Sequence, residues 1–335
     1  MEALIKRLAE AWGPSGYEHH VRDLIRAEVE PLADELWIDP LGSLICRVGS
    51  GEKRIMTAAH MDEIGLIVGH LDRQGYARFS AIGSLFPAML LGTRVRFENG
   101  VIGTLGVENP YSKRRSVYNL DDFFVDISAS VDGNAEVHVG DPAGFVGEVV
   151  TRGERMIGKS LDDRTGCAIQ IEAMRRLKES GTPHSVYFAF TVQEEVGSRG
   201  AQTAAYAIEP HLGIALDVTG AGDPPHGERV GVYLGNGVAI KARDAGLIVP
   251  AAIRDLFVQR AEDAGIPYQM EVIEGASTDG RVIQLARAGV PTGALSIPLR
   301  YVHTPSETLD LRDVQATLDL LVAILTGPVA LGSEA

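Results

Sequence analysis

Two carboxylates, Glu194 and Glu195, stand side by side at the end of the apolar run Ser185–Val192, just before Gly197 and Ser198. The run reads as a buried strand and the Gly-Ser pair as a turn into a helix. Strand ends in α/β proteins are where ligands and catalysis collect. Adjacent acids buried there repel each other unless cations neutralise them, which points to bound metal. Standing alone, the pair would read better as an exposed acidic turn. It does not stand alone.

Four further segments place an acid or an imidazole at or near an apolar strand. In Ile55–Gly65, His60 and Asp62 lie two apart and would point the same way on a strand, where the carboxylate can fix which ring nitrogen faces a metal. In Gly158–Gly166, Asp162 and Asp163 open a helix. One of two such aspartates can cap the helix while the other bridges metals. The strand Gly213–Leu216 ends in Asp217 with no helical pattern directly after it, and His303 lies in a Pro-bounded loop beyond another strand.

Together these give two imidazoles, a bridging carboxylate and at least two more acids. That inventory suits two divalent ions about 3.5 to 4 Å apart sharing one carboxylate and a water. Imidazole and carboxylate without thiolate suit zinc, cobalt or manganese. One acid is left over, and a metal-activated water needs a general base. Ser277–Gly280, with Asp279, and the pair Arg300 and Tyr301 are candidates to line a substrate pocket, although a cap or a structural turn explains each equally well.

The elements that must hold these groups follow from periodicity. Leu4, Leu8 and Trp12, then Val21, Leu24, Ile25 and Val29, are spaced for two amphipathic helices separated by Gly13-Pro14-Ser15-Gly16. Strand patterns follow over 35–48 and 54–71. From Asp72 to Arg155 only short, Gly-punctuated strands occur (76–79, 93–97, 101–107, 147–150), which argues for a small all-β unit inserted into a larger fold. Beyond Leu161 helices (163–179, 198–208, 250–264, 278–289, 311–326) alternate with strands (185–192, 212–216, 229–234, 268–273, 292–296), the pattern of an open α/β sheet covered by helices. The expected domains are therefore a discontinuous catalytic unit, 1–70 with 156–335, and a β-rich insertion, 71–155.

A chain of 335 residues with 45% hydrophobic and 23% charged residues has the composition of a soluble globular protein. Its formal charge of −14 argues against nucleic acid or an anionic membrane as partner. Cys46 and Cys167 match no metal or redox spacing and read as core residues in a reducing compartment. The first residues lack the order of a signal peptide, and no apolar run is long enough to span a bilayer, so the cytoplasm is the expected location.

Six segments, AAHMDEIG, KSLDDRTG, FTVQEEVGSRGA, IALDV, STDG and SIPLRYVHTPSE, resemble in order and spacing those of the glutamyl and deblocking aminopeptidase (TET) family. These are co-catalytic dinuclear metallo-aminopeptidases that assemble into tetrahedral particles. The resemblance implies a mixed-sheet α/β/α di-zinc exopeptidase fold. It also implies that His60, Asp162 and Asp217 hold one metal and Asp162, Glu195 and His303 the other, with Asp162 preceding a cis peptide as the bridge. Glu194 would be the general base for a metal-bound hydroxide, and Asp62 the partner that orients His60. The insertion resembles the family's dimerisation domain, from which dimers build a tetrahedral dodecamer, and short peptides are the implied substrates.

A deacylase of N-acylated amino acids would need the same metals and base. A glycosidase fits poorly, because its two acids stand about 5 to 9.5 Å apart across a sugar bond. A non-catalytic peptide-binding assembly predicts a missing ligand or base, and none is missing.

Overall fold

Why the candidate residues meet follows from how the apolar runs pair. The computed structural model describes residues 1–108, 118–128, 136–225, 227 and 230–329. In chain order the elements are α1 (Glu2–Glu10), α2 (His19–Val29), β1 (Glu35–Ile38), β2 (Leu44–Val48), β3 (Arg54–His60), β4 (Gly65–Leu71), β5 (Tyr76–Ile82), β6 (Arg94–Phe97), β7 (Ile102–Val107), β8 (Phe123–Asp126) and β9 (Pro142–Phe145). They continue as β10 (Val150–Arg152), β11 (Arg155–Gly158), α3 (Leu161–Ser180), β12 (Ser185–Thr191), α4 (Arg199–Ile208), β13 (Leu212–Gly220), β14 (Val238–Arg243), α5 (Ala251–Ala264), β15 (Tyr268–Val272), α6 (Gly280–Ile283), β16 (Thr292–Arg300), β17 (Glu307–Asp310) and α7 (Leu311–Thr326).

Among the described residues the larger sheet has 11 strands, in the order β1-β2-β12-β3-β13-β16-β17-β11-β10, with β14 and β15 branching from β16. Its centre, β12, β3, β13 and β16, is parallel and its flanks are antiparallel except for the parallel pair β14–β15. Parallel strands are covered on both faces, hence their unbroken apolar runs. Alternation along β3 sends Ile55 and Ala59 to the core shared with α1, α3 and α7, and Met56 and Ala58 to the core under α4 and α6. On α7 the stripe Val314, Leu318, Leu321 and Leu325 is buried, and the Asp310 carboxylate accepts the Arg312 amide at 2.9 Å as its cap.

The second sheet is a closed barrel, β4-β5-β8-β7-β6-β9, sealed by pairing of β9 with β4. Its strands alternate inward and outward, and Leu66, Val95, Phe97, Leu105, Val125 and Phe145 fill a separate core. This is the α/β architecture with an all-β unit that the sequence pattern called for. No helix among the described residues is long and apolar enough to cross a membrane.

Three of the expected elements differ. The strand expected over 147–150 is absent: 146–149 are irregular between β9 and β10, which begins only at Val150. The stretch 278–289 forms only the single turn α6, because Arg287 (φ +54°) and Gly289 (φ +106°) take the left-handed region and Leu285 is left 77% exposed. In 230–234 there is no strand. Val232 and Leu234 are buried, but the Tyr233 amide goes to Gln269 Oε1 and the Leu234 amide to Asp223 Oδ2 instead of a ladder, and the strand is β14, further on.

Candidate active site and metal centre

The parallel strands all end on the same edge, and their register sets the first contact. Thr191 lies opposite His60, and the β13–β3 pairing that matches Ala215 with Ala58 carries Asp217 to the level of His60. Asp217 Oδ1 is 3.9 Å from His60 Nε2. Asp162 enters from a kink in the first turn of α3, where it and Asp163 are non-helical and joined by a cis peptide. One Asp162 oxygen lies 3.0 Å from His60 Nε2 and the other 3.3 Å from His303 Nε2. Glu195 Oε2 is also 3.3 Å from His303 Nε2. The other four groups proposed from sequence as ligands therefore gather around Asp162.

Asp163 offers an oxygen near His60 and Asp217 as well. Both its oxygens are engaged, Oδ1 by the Gly166 amide at 3.0 Å and Oδ2 by the His60 amide at 3.3 Å, so Asp163 is the capping member of the pair.

Asp62 differs from expectation in position. β3 ends at His60, and Asp62 lies beyond it, with its main-chain oxygen 3.2 Å and its Oδ1 3.5 Å from His60 Nδ1. Its carboxylate accepts the amides of Glu194 (3.0 Å) and Glu195 (3.2 Å) and the Ser15 hydroxyl (2.6 Å). One buried acid thus ties the imidazole to the loop carrying the acid pair. Glu194 Oε1 in turn accepts the Ser198 hydroxyl at 2.9 Å.

Three supports are not apparent from sequence. Buried Glu307 accepts the His303 amide through Oε1 (3.0 Å) and the Asp162 amide through Oε2 (3.1 Å). The Ser84 carbonyl, in the barrel loop after β5, accepts from His303 Nδ1 at 3.0 Å, which turns Nε2 towards Asp162. Glu18 Oε1 accepts the Gln193 amide at 3.0 Å. The only signal for the first was an acid four residues after His303 in a strand that begins at Glu307.

Of the pocket candidates, Asp279 accepts the Thr191 hydroxyl at 2.6 Å, while its Oδ1 is buried without a hydrogen-bond partner. Arg300 forks onto Asp223 at 2.8 and 2.7 Å, and Tyr301 is 51% exposed. Neither Arg300 nor Tyr301 is among the groups that meet at Asp162.

Burial pushes Glu194, Asp217 and Glu307 well above the usual carboxylate range, and neighbouring acids add to the effect. Burial also opposes charge on the other members, but His303 and His60 hold Asp162 low, and Asp162 with Glu195 pushes His303 up to about 12. Such a nest is short of positive charge. The donor separations of 3.0 to 3.9 Å bracket the edge of a tetrahedron with bonds of about 2.0 to 2.1 Å, which is about 3.3 Å. Charge deficit, donor type and spacing all fit divalent cations.

Imidazoles and acids gathered at parallel strand ends of a mixed α/β sheet, beside an inserted barrel, form a candidate metal centre. Residues 42–320 match the M42 glutamyl aminopeptidase family, to which the chain belongs. It is accordingly an enzyme, an aminopeptidase. It is 37% identical to the lysyl aminopeptidase of Pyrococcus furiosus, with 96% of each chain covered. Among solved structures it superposes on an aminopeptidase of the archaeon Desulfurococcus kamchatkensis with a TM-score of 0.92 at 38% identity, over 97% of this chain and 94% of the other. It also matches the TET1 peptidase of Pyrococcus horikoshii, which can assemble into a tetrahedron or a large octahedral shell (TM-score 0.86, 32% identity, 97% and 98% covered).

Proposed function

We propose that the protein removes the N-terminal residue from short peptides in a metal-dependent hydrolysis. His60, Asp162 and Asp217 would hold one divalent cation, and Asp162, Glu195 and His303 the other. The observation that carries this reading is the carboxylate of Asp162, whose two oxygens face two different imidazoles. Bound there, the ions would polarise the scissile carbonyl and lower the pKa of water from about 15.7 toward about 7.

Glu194 is the base in this scheme. It takes a proton from the attacking water and returns it to the leaving amine, a role suited to a buried acid outside both ligand sets. Asp62 keeps Glu194 and His60 in mutual register through the hydrogen bonds described above. Zinc, cobalt and manganese all suit the donor set. The barrel is proposed as the surface through which copies pair, by analogy with the relative that builds closed shells. The family and the Pyrococcus furiosus relative carry different specificity names, glutamyl and lysyl, so the preferred first residue is a matter for a substrate panel.

Hydrolysis of a dipeptide with a free amino terminus, against its N-acetylated form and with or without chelator, tests this reading. The free dipeptide should be cleaved, chelation should abolish cleavage, and added zinc, cobalt or manganese should restore it. Preference for the acetylated form would make the enzyme a deacylase, and full activity in chelator would remove the metals from the scheme.

A further inference from the structure

A second group of metal-ligating side chains lies at the junction between the two sheets and shares no residue with the cluster at Asp162. His19 and His20 open α2, and Glu98 follows β6 of the barrel. His19 Nε2 is 3.0 Å and His20 Nε2 3.3 Å from the same oxygen, Glu98 Oε1, and the three donor atoms all lie within 4.8 Å of one another. The imidazoles are 4.2 Å apart between centroids, and Trp12 packs against His20 at 5.8 Å. Neighbouring helix residues normally diverge by about 100°. Here they converge at the first turn onto a carboxylate from another sheet.

We propose that His19, His20 and Glu98 form a binding site for a transition-metal ion of the zinc type. Two imidazoles and a carboxylate, without thiolate, are donors that zinc accepts, and donor separations of 3.0 and 3.3 Å match the tetrahedral edge of about 3.3 Å. The side chains are 43%, 52% and 44% exposed, so an ion can enter and water can complete its shell.

The site joins α2 to the barrel beside two existing ties, Trp12 Nε1 to the Arg96 carbonyl at 2.9 Å and Tyr17 Oη to the Gly140 carbonyl at 3.5 Å. It also acts on the catalytic edge. Glu18, which directly precedes His19, receives the Gln193 amide at 3.0 Å, and Gln193 begins the loop that carries Glu194 and Glu195. An ion on the outside of this segment fixes the element that supports the acid pair from within.

The test is zinc binding by equilibrium dialysis of chelator-stripped full-length protein, comparing wild type with His19→Ala/His20→Ala and with Glu98→Gln. Wild type should bind one zinc per chain more than either variant at micromolar free zinc, and zinc should slow amide exchange over residues 13–20 in wild type alone. His20 and Glu98 are exposed and His19 is half-buried, and circular dichroism without zinc checks that the variants fold. Equal zinc content in wild type and both variants overturns the proposal, whatever the ion count at Asp162.

Discussion

His60 and Asp217 come from strands, whereas His303 and Glu195 come from loops. The strand pair needs little outside help, since sheet register alone brings Asp217 to the level of His60. The loop pair has no such frame. His303 sits at φ +61° and is held by Glu307 on one side and by a barrel carbonyl on the other, while Glu195 hangs by its amide from Asp62. Half of the centre is therefore fixed by secondary structure, and the other half by hydrogen bonds from distant segments.

This asymmetry can be broken in steps. Glu194→Gln removes the base and spares both halves; kcat should fall by about 10² to 10⁴ fold while metal content is unchanged, as read by activity beside metal analysis. Glu307→Gln places an amide NH₂ against one of two backbone N–H donors. It should weaken the His303 ion by about 10 to 100 fold, more than the His60 ion, whereas Asp62→Asn should lower activity by a similar factor through both. Isothermal titration with zinc separates the two variants, and equal loss at both ions in Glu307→Gln would erase the distinction drawn here.

The smallest effect concerns Glu18. Burial, with the Asp62 charge second, raises its carboxyl from the ordinary 4.5 to about 7. A raised folded pKa means that protonation favours the fold; this stability is complete below about 4.5 and is lost as pH rises through about 7. The Gly16 amide (2.7 Å) and the Gln193 amide (3.0 Å) both donate to Glu18 Oε1, so Glu18→Gln keeps them and drops the charge. Melting in chelator should place the variant above wild type at pH 8 and level with it at pH 5.

What could be seen in the sequence were groups near the ends of apolar runs. His60 ends β3 and Glu194 and Glu195 follow β12, while Asp217, expected just past a strand ending at Leu216, lies within β13, which runs on to Gly220; the covering helices announced themselves by stripes such as that of α7. The order of Asp162 and Asp163 was not separable from spacing, because both stand at a helix start; in the structure Asp163 accepts the Gly166 and His60 amides while Asp162 faces His60 and His303. Glu307, Ser84 and Glu18 were hidden because they meet the Asp162 amide, the His303 ring and the Gln193 amide across 145, 219 and 175 residues. Pattern reading finds which face a side chain takes, not which distant amide it meets. The four-residue barrel strands β8 and β9 were missed because such short runs carry little periodicity.

Anomalous diffraction from crystals grown with zinc tests the central claim, that one carboxylate joins two cation sites, most directly. Two peaks should flank Asp162, one beside His60 and Asp217 and the other beside Glu195 and His303. A fully active crystal form with a single peak there, or with none, would contradict it.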